Sequence, residues 1–210
     1  MAIPADVPVP RRIAVLGSPG SGKSAFCHRL AAAGPPLFHL DDLYWWPGWR
    51  RTPEPRWRAL VQRLAAQPEW IIDGNYAPTA GFRLERADLV VLLDYHPLLC
   101  AWRVLRRSVR LRRGSAEEYL PRRLRATADP YVRDLKALLG KVLAFRRKDL
   151  AAMRPVLRAA AGRVVVCRTP ARAERVLAEL TSAISASPQP GATAGPGLVP
   201  CDCVARPPKR

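Results

Sequence analysis

The sequence predicts an α/β domain built on a doubly wound, parallel, five-stranded sheet with helices on both faces. Three observations predict it. Apolar runs of strand length alternate with stretches of helical periodicity through most of the chain. The runs "RIAVLG" (12–17), "WIID" (70–73) and "DLVVLLD" (88–94) lack polar alternation, as strands covered on both faces require. A glycine-rich turn, "GSPGSGKS" (17–24), joins the first run to a helical stretch, at the strand end where open α/β sheets bind ligands.

Each element follows in order. After a short Pro-rich lead-in, 12–17 is the first strand, and "KSAFCHRLAAAG" (23–34) is a helix closed by Gly34. "LFHL" (37–40) is a short second strand. "EPRWRALVQRLAAQ" (54–67) places Trp57, Leu60, Val61 and Leu64 on one helical face. The runs 70–73 and 88–94 supply the third and fourth strands. From Pro97 to about Arg113 a helix is expected to carry Leu98, Trp102, Leu105 and Val109 inward and its arginines outward. Gly114 and Pro121 interrupt that pattern, and a long helical stretch is expected over about 130–160. "RVVVCR" (163–168) is the last strand and "ARAERVLAELTSAI" (171–184) the last helix. These elements form one domain over about 10–185, with a lid-like, Arg-rich insertion at about 103–128. The Pro/Gly-rich tail 186–210 has no periodicity and is expected to be disordered.

Composition narrows the classes. With 210 residues, 49% of them hydrophobic, the chain can bury one ordinary core. A formal net charge of +18 attracts polyanions, whether nucleic acid, anionic membrane or nucleotide phosphates. Yet 30 of the 35 basic residues are arginine and alanine is abundant, a bias that GC-rich coding also produces, so charge alone selects no partner. No apolar run reaches the roughly 18 residues of a membrane span, and prolines interrupt the start where a signal peptide needs continuous apolar chain. The expectation is a cytoplasmic protein without a membrane partner. Cys27, Cys100 and Cys167 lie inside apolar patterns and are expected to be free thiols; Cys201 and Cys203 in the tail are too few to close a tetrahedral metal site.

The turn carries the chemistry. Gly17, Ser18, Pro19, Gly20, Ser21, Gly22, Lys23 and Ser24 match G-x-x-x-x-G-K-[ST] in full, between a strand and a helix. The glycines allow torsions and close approaches that side chains would block, so successive N–H groups turn inward on a phosphate chain. The helix start, with Ala25 in its first turn, adds a positive dipole end. Lys23 is placed to reach the β and γ phosphates and the Ser24 hydroxyl to ligate Mg²⁺. The fold is therefore expected to be a P-loop nucleotide-binding one, with ATP and Mg²⁺ as cofactors. No N/T-K-x-D base-reading motif is present, which argues against a GTPase.

Five segments, "GSPGSGKS", "HLDDLYWWPGW" (39–49), "WIIDGNY" (70–76), "RLERADLVVLLD" (83–94) and "WRVLRRSVRLR" (102–112), carry a resemblance. The chain resembles the adenylate-kinase-like family of P-loop kinases, and most closely the small group called DNA topology modulation proteins. The resemblance spans 12 to about 113 and does not reach the tail. It implies an ATP-dependent kinase in which an aspartate ending the strand beside the P-loop strand holds Mg²⁺ through water. That position here is Asp73, although Asp94 is a rival on local pattern. Nucleoside monophosphate kinases tend to continue with Gly-Phe-Pro-Arg, where this chain has Gly74, Asn75 and Tyr76.

The resemblance also implies that the segment after the second strand faces the phosphate acceptor. Asp41 occupies the place of a carboxylate that orients or deprotonates the attacking hydroxyl, with Asp42 beside it. Tyr44, Trp45, Trp46 and Trp49 form either an aromatic wall for a flat acceptor or a corner closed over the core. Asn75, Tyr76 and Arg83 are acceptor-side candidates. Nine arginines lie between 103 and 125; Arg103, Arg107 and Arg110 share one helical face, and Arg103 and Arg107 are the candidates for the cation over the transferring phosphoryl group. His28, His39 and His96 lack metal-ligand spacing, and His39, nearest the site, reads as a packed neighbour. The expected function is an ATP-dependent small-molecule kinase, with nucleotides and nucleosides among its candidate acceptors. The alternative is a nucleic-acid-associated P-loop ATPase acting on DNA topology or its regulation.

Overall fold

The computed structural model describes residues 9–113 and 135–187. A five-stranded sheet runs through it in the order β2-β5-β1-β6-β7, every adjacent pair parallel. Its strands are β1 (Arg12–Gly17), β2 (Leu37–His39), β5 (Trp70–Asp73), β6 (Leu89–Leu93) and β7 (Val164–Cys167). The fold is thus the expected α/β P-loop type. β1 lies in the centre, so the crevice past its carboxyl end is bounded by β5 on one side and β6 on the other.

β1 alternates its side chains between two cores. Ile13 and Val15 face one layer, with Phe26, Cys27 and Leu30 of α1 (Lys23–Ala31) and Val176, Leu177 and Leu180 of the last helix. Ala14 and Leu16 face the other, with Trp57, Leu60, Val61 and Leu64 of α3 (Glu54–Ala65). Burial on both sides explains why these strands are continuously apolar.

Between β2 and α3 the chain forms a short helix, α2 (Leu40–Tyr44), and an antiparallel hairpin of β3 (Trp45–Trp46) and β4 (Arg50–Arg51) that the sequence did not reveal. Two residues per strand are too few to print an alternating pattern. α4 (Ala80–Leu84) follows β5, and α5 (Pro97–Arg112) follows β6.

Two expectations are corrected. Along α5, Leu98 and Trp102 are 68% and 55% exposed, and Leu105 and Val109 are exposed as well, while Cys100, Val104 and Ser108 are buried. The physical reason is the P-loop, which packs against the helix backbone: a Cβ on Gly20 would stand 2.3 Å from the Cys100 carbonyl oxygen. Only small side chains fit such an approach, so the helix turns its small face inward. The long helix expected over 130–160 is instead α6 (Leu135–Ala144) and α7 (Asp149–Ala159). Leu138 and Val142 belong to the first core, whereas Phe145 and Met153 belong to the second. The chain crosses from one face of the sheet to the other, which a single straight helix cannot do. α8 (Pro170–Ala186) closes the described chain, starting behind the Thr169 side chain, which accepts from the Arg172 N–H.

Most of the expected lid, 114–128, and the tail from 188 onward lie outside the described residues; 103–112 belong to α5. Among the described residues no helix is long and apolar enough to cross a membrane.

Candidate active site

Three strand ends and one helix start meet at the crevice. The P-loop leaves β1 at Gly17 and turns through Gly20 (φ 81°) and Gly22 (φ 88°), the left-handed region open to glycine at little cost. The turn is closed by the Ser21 N–H donating to the Ser18 carbonyl (3.1 Å), and α1 begins as the Phe26 N–H donates to the Gly22 carbonyl (3.0 Å). Gly22, Ser24 and Ala25 remain exposed, so the helix start opens to the crevice. Pro19 lies half-buried in the same turn. Lys23 bends back over the loop, its Nζ donating to the carbonyls of Gly17 (2.8 Å) and Ser18 (3.2 Å).

Asp73 ends β5, beside the loop. Its Oδ2 accepts from the Ser24 hydroxyl (2.7 Å) and lies 2.9 Å from His39 Nδ1. Burial pushes this carboxyl up, but the His39 contact, the Lys23 charge and the Ser24 hydroxyl together hold it below the usual carboxylate range. Its Oδ1 is buried and has no hydrogen-bond partner among the described residues, an unusual state for a carboxylate oxygen. Asp94 sits on the far side of β1 and is engaged elsewhere, its Oδ1 accepting from Arg146 Nε (2.7 Å). Of the two, Asp73 is the aspartate that touches the P-loop.

The turn after Asp73 does different work from that expected. Asn75 spends both ends of its amide on one residue of the loop: Oδ1 accepts from the Gly17 N–H (3.1 Å) and Nδ2 donates to the Gly17 carbonyl (2.9 Å). It is a clamp on the P-loop rather than an acceptor contact. Arg83 is also corrected. Its side chain is 0% exposed, Nη1 donates to the Gly74 carbonyl (2.7 Å) and Nη2 to that of Asn75, so it braces the turn from beneath. Burial lowers its pKa to about 10, with Asp73 and Tyr76 opposing that fall.

Tyr76 turns toward Asp41. It adopts φ 34°, rare for a non-glycine residue, and its hydroxyl donates to Asp41 Oδ1 at 2.6 Å. Asp41 is open to solvent, yet protein atoms crowd its carboxyl and raise its pKa, against the pull of the Tyr76 hydroxyl. Solvent access limits the size of that effect.

The aromatic residues divide into layers. Trp57, Tyr44 and Tyr76 form a packed trio with ring centroids 4.8–5.0 Å apart. Trp46 is buried, its Nε1 donating to Thr52 Oγ1 (3.1 Å), so it is a corner of the core. Trp45 and Trp49 are half-buried and meet edge to face at 5.3 Å, with the Arg51 guanidinium 5.9 Å from the Trp45 ring. The segment is therefore a packing corner at Trp46, with Tyr44, Trp45 and Trp49 half-buried at its edge.

On the opposite rim, α5 brings Arg103 over the loop. Its Nη1 is 3.5 Å from the Ser21 carbonyl oxygen and 3.8 Å from where a Cβ on Gly22 would stand, and its guanidinium lies 5.6 Å from the Tyr95 ring. Arg107, one turn on, is half-buried, whereas Arg110 is exposed. Cys27, Cys100 and Cys167 are buried free thiols that burial pushes up in pKa, so none is a nucleophile here.

One of these roles had a faint signal in the sequence. His39 pairs in register with Asp73 across β2 and β5, a relation that follows once the strands are aligned. Asn75 had none, because its partner is 58 positions away.

No family model matches the chain, and no curated protein matches it. Among solved structures it is similar to a gluconokinase from Sinorhizobium meliloti 1021 at 19% identity, with 85% of this chain and 93% of that chain covered and a TM-score of 0.44. It is also similar to a shikimate kinase from Acinetobacter baumannii in complex with shikimate, at 17% identity over 85% of this chain and 96% of that one, with a TM-score of 0.45. A shikimate kinase from Bacteroides thetaiotaomicron gives 15% identity, 82% and 97% coverage and a TM-score of 0.45. Likeness at this level carries no argument about what this chain binds or transfers.

Proposed function

We propose that this chain is an ATP-dependent small-molecule kinase. The observation that carries the reading is the Asp41 carboxylate held 2.6 Å from the Tyr76 hydroxyl, one residue beyond the Asn75 clamp on the P-loop. An ATPase that only changes shape has no need of a carboxylate held, through Tyr76, next to the residue that clamps the phosphate loop.

In this reading, the N–H groups at the helix start, Gly22 to Ala25, and the Lys23 ammonium hold the β and γ phosphates. Lys23 exchanges its present carbonyl partners for phosphate oxygens. Ser24 and Asp73 fit Mg²⁺, an ion commonly held by one or two protein oxygens plus phosphates; the orphaned Asp73 Oδ1 offers an acceptor for its water. Magnesium held there by Ser24 and Asp73 would offset the negative charge of the phosphates. Asp41 orients an acceptor hydroxyl and takes its proton as the oxygen–γ-phosphorus bond forms and the bond to the bridging oxygen of ADP breaks. Crowding that raises its carboxyl makes Asp41 a better proton acceptor than a free aspartate. Arg103, with Arg107 behind it, offsets charge on the transferring group. Tyr44 and Trp45, set edge to face at 86°, offer an aromatic corner for a ring-bearing acceptor, such as a nucleoside or nucleotide.

An acceptor screen tests the reading. With labelled ATP and Mg²⁺, label should pass to a small hydroxyl compound only when that compound is present. Turnover to free phosphate that depends on DNA, and falls steeply with salt, would instead favour a nucleic-acid-associated ATPase.

A further inference from the structure

β2 and β5 pair in register so that His39 stands beside Asp73, and both side chains point into the crevice end of the sheet. The imidazole is fixed at both nitrogens. Nδ1 faces Asp73 Oδ2 at 2.9 Å, and Nε2 faces His28 Nε2 of α1 at 3.2 Å, the two rings tilted with centroids 4.8 Å apart. A carboxylate is acceptor-only, so Nδ1 carries the hydrogen. Asp73 Oδ2 therefore receives two donors, His39 Nδ1–H and the Ser24 hydroxyl, while Oδ1 receives none although it is buried.

That asymmetry has a consequence for the metal. A carboxylate free to rotate about its Cβ–Cγ bond would present either oxygen, or both, to a cation's water. Two donors on one oxygen hold the rotation, and only one of them comes from the P-loop.

We propose that His39 is a positioning residue for the metal–nucleotide complex: by donating from Nδ1 to Asp73 Oδ2 it fixes the carboxylate and keeps Oδ1 turned to the cation's water. The proposal rests on the metal role given to Asp73 above. It replaces the reading of His39 as a packed neighbour, and it assigns His28 the task of holding the ring from the other side.

The test uses the full chain, ATP and Mn²⁺ as the probe. Asparagine places its amide nitrogen near the position of the imidazole Nδ1, whereas glutamine reaches the position of Nε2. ATP affinity is measured by calorimetry with and without Mn²⁺ for the wild type, His39→Asn, His39→Gln, His39→Leu and Asp73→Asn, with a melting curve for each. Asp73, which meets the cation through water, is an outer partner of the metal, and its loss should cost about 10- to 100-fold in metal affinity. The gain in ATP affinity on adding Mn²⁺ should fall in His39→Leu and His39→Gln, by no more than in Asp73→Asn. It should be largely kept in His39→Asn, with metal-free ATP affinity that of the wild type in the three His39 variants. A merely structural histidine would lower melting temperature and both affinities together, and asparagine would not rescue; either pattern overturns the proposal. An unchanged Mn²⁺ gain in His39→Leu alongside its loss in Asp73→Asn overturns it too, leaving the metal assignment intact. An unchanged gain in Asp73→Asn overturns the assignment itself, and the proposal with it.

Discussion

Replacing Asn75 by leucine removes the clamp between the β5–α4 turn and the P-loop while keeping the branching and heavy-atom count of the side chain. Its two hydrogen bonds fail unequally. The Gly17 carbonyl keeps a donor, since Lys23 Nζ lies 2.8 Å away, so that side costs only the net value of one bond, about 0.5–1.5 kcal/mol. The Gly17 N–H loses its Asn75 acceptor inside a buried segment, which costs about 1–3 kcal/mol. Together the loss is about 3 kcal/mol, or roughly 6–12 °C in melting temperature for a domain of this size. Because Gly17 begins the phosphate loop, ATP affinity should fall as well, while the acceptor KM measured at saturating ATP stays near that of the wild type. Thermal denaturation with and without ATP, followed by steady-state kinetics, reads all three. A variant with unchanged melting temperature and ATP affinity but a raised acceptor KM would refute the clamp and return Asn75 to the acceptor surface.

Other consequences are as direct. Gly20→Ala places a Cβ at φ 81° and 2.3 Å from the Cys100 carbonyl, adding about 1–3 kcal/mol of backbone strain and a similar overpacking cost. Thermal denaturation should show a loss of several degrees together with weakened ATP binding. Lys23→Ala should leave the melting temperature within a few degrees and weaken ATP binding by about 10- to 100-fold, the worth of one charge-assisted bond, as read by calorimetry. Asp88 accepts from the N–H groups of Arg11 (3.0 Å) and Arg12 (2.8 Å) and from the Arg12 guanidinium (2.6 Å). Burial opposes these bonds, but they win and hold its carboxyl below the usual range. The stability it contributes is full above the unfolded pKa of about 3.9 and is lost as pH falls through the lower folded value. Asp88→Asn should therefore cost about 1–2 kcal/mol in urea at pH 7, the Arg12 share being screened by solvent, and progressively less as pH falls below about 3.9.

The legible parts of this protein are those whose constraint is local. Gly20, Gly22, Lys23 and Ser24 are required by one turn and one helix start, so their spacing alone announces the cradle. Ile13 to Leu16, Ile71 and Ile72, and Leu89 to Leu93 read as strands because each is buried on both faces. α5 misled because the usual rule turns large apolar residues inward, whereas the close approach of Gly20 to Cys100 demands small ones. Arg83 looked like an anion binder because its charge is visible in sequence, while the Gly74 and Asn75 carbonyls that occupy it are not. His39 showed its place only through the pairing of β2 with β5. Residues that serve backbone atoms of another segment leave no pattern in their own.

Asp41→Asn measures the central claim most directly, because asparagine keeps the shape and can still accept from Tyr76 but cannot take a proton from an acceptor hydroxyl. ATP affinity and phosphoryl transfer are measured on the same preparation, with a melting curve beside them. If Asp41 serves the acceptor while residues 17–24 hold the nucleotide independently, ATP affinity and melting temperature stay unchanged. Transfer to the acceptor then falls by about 10²- to 10⁴-fold. If ATP affinity and transfer fall together with the melting temperature, Asp41 supports the fold at the hairpin and the acceptor site lies elsewhere.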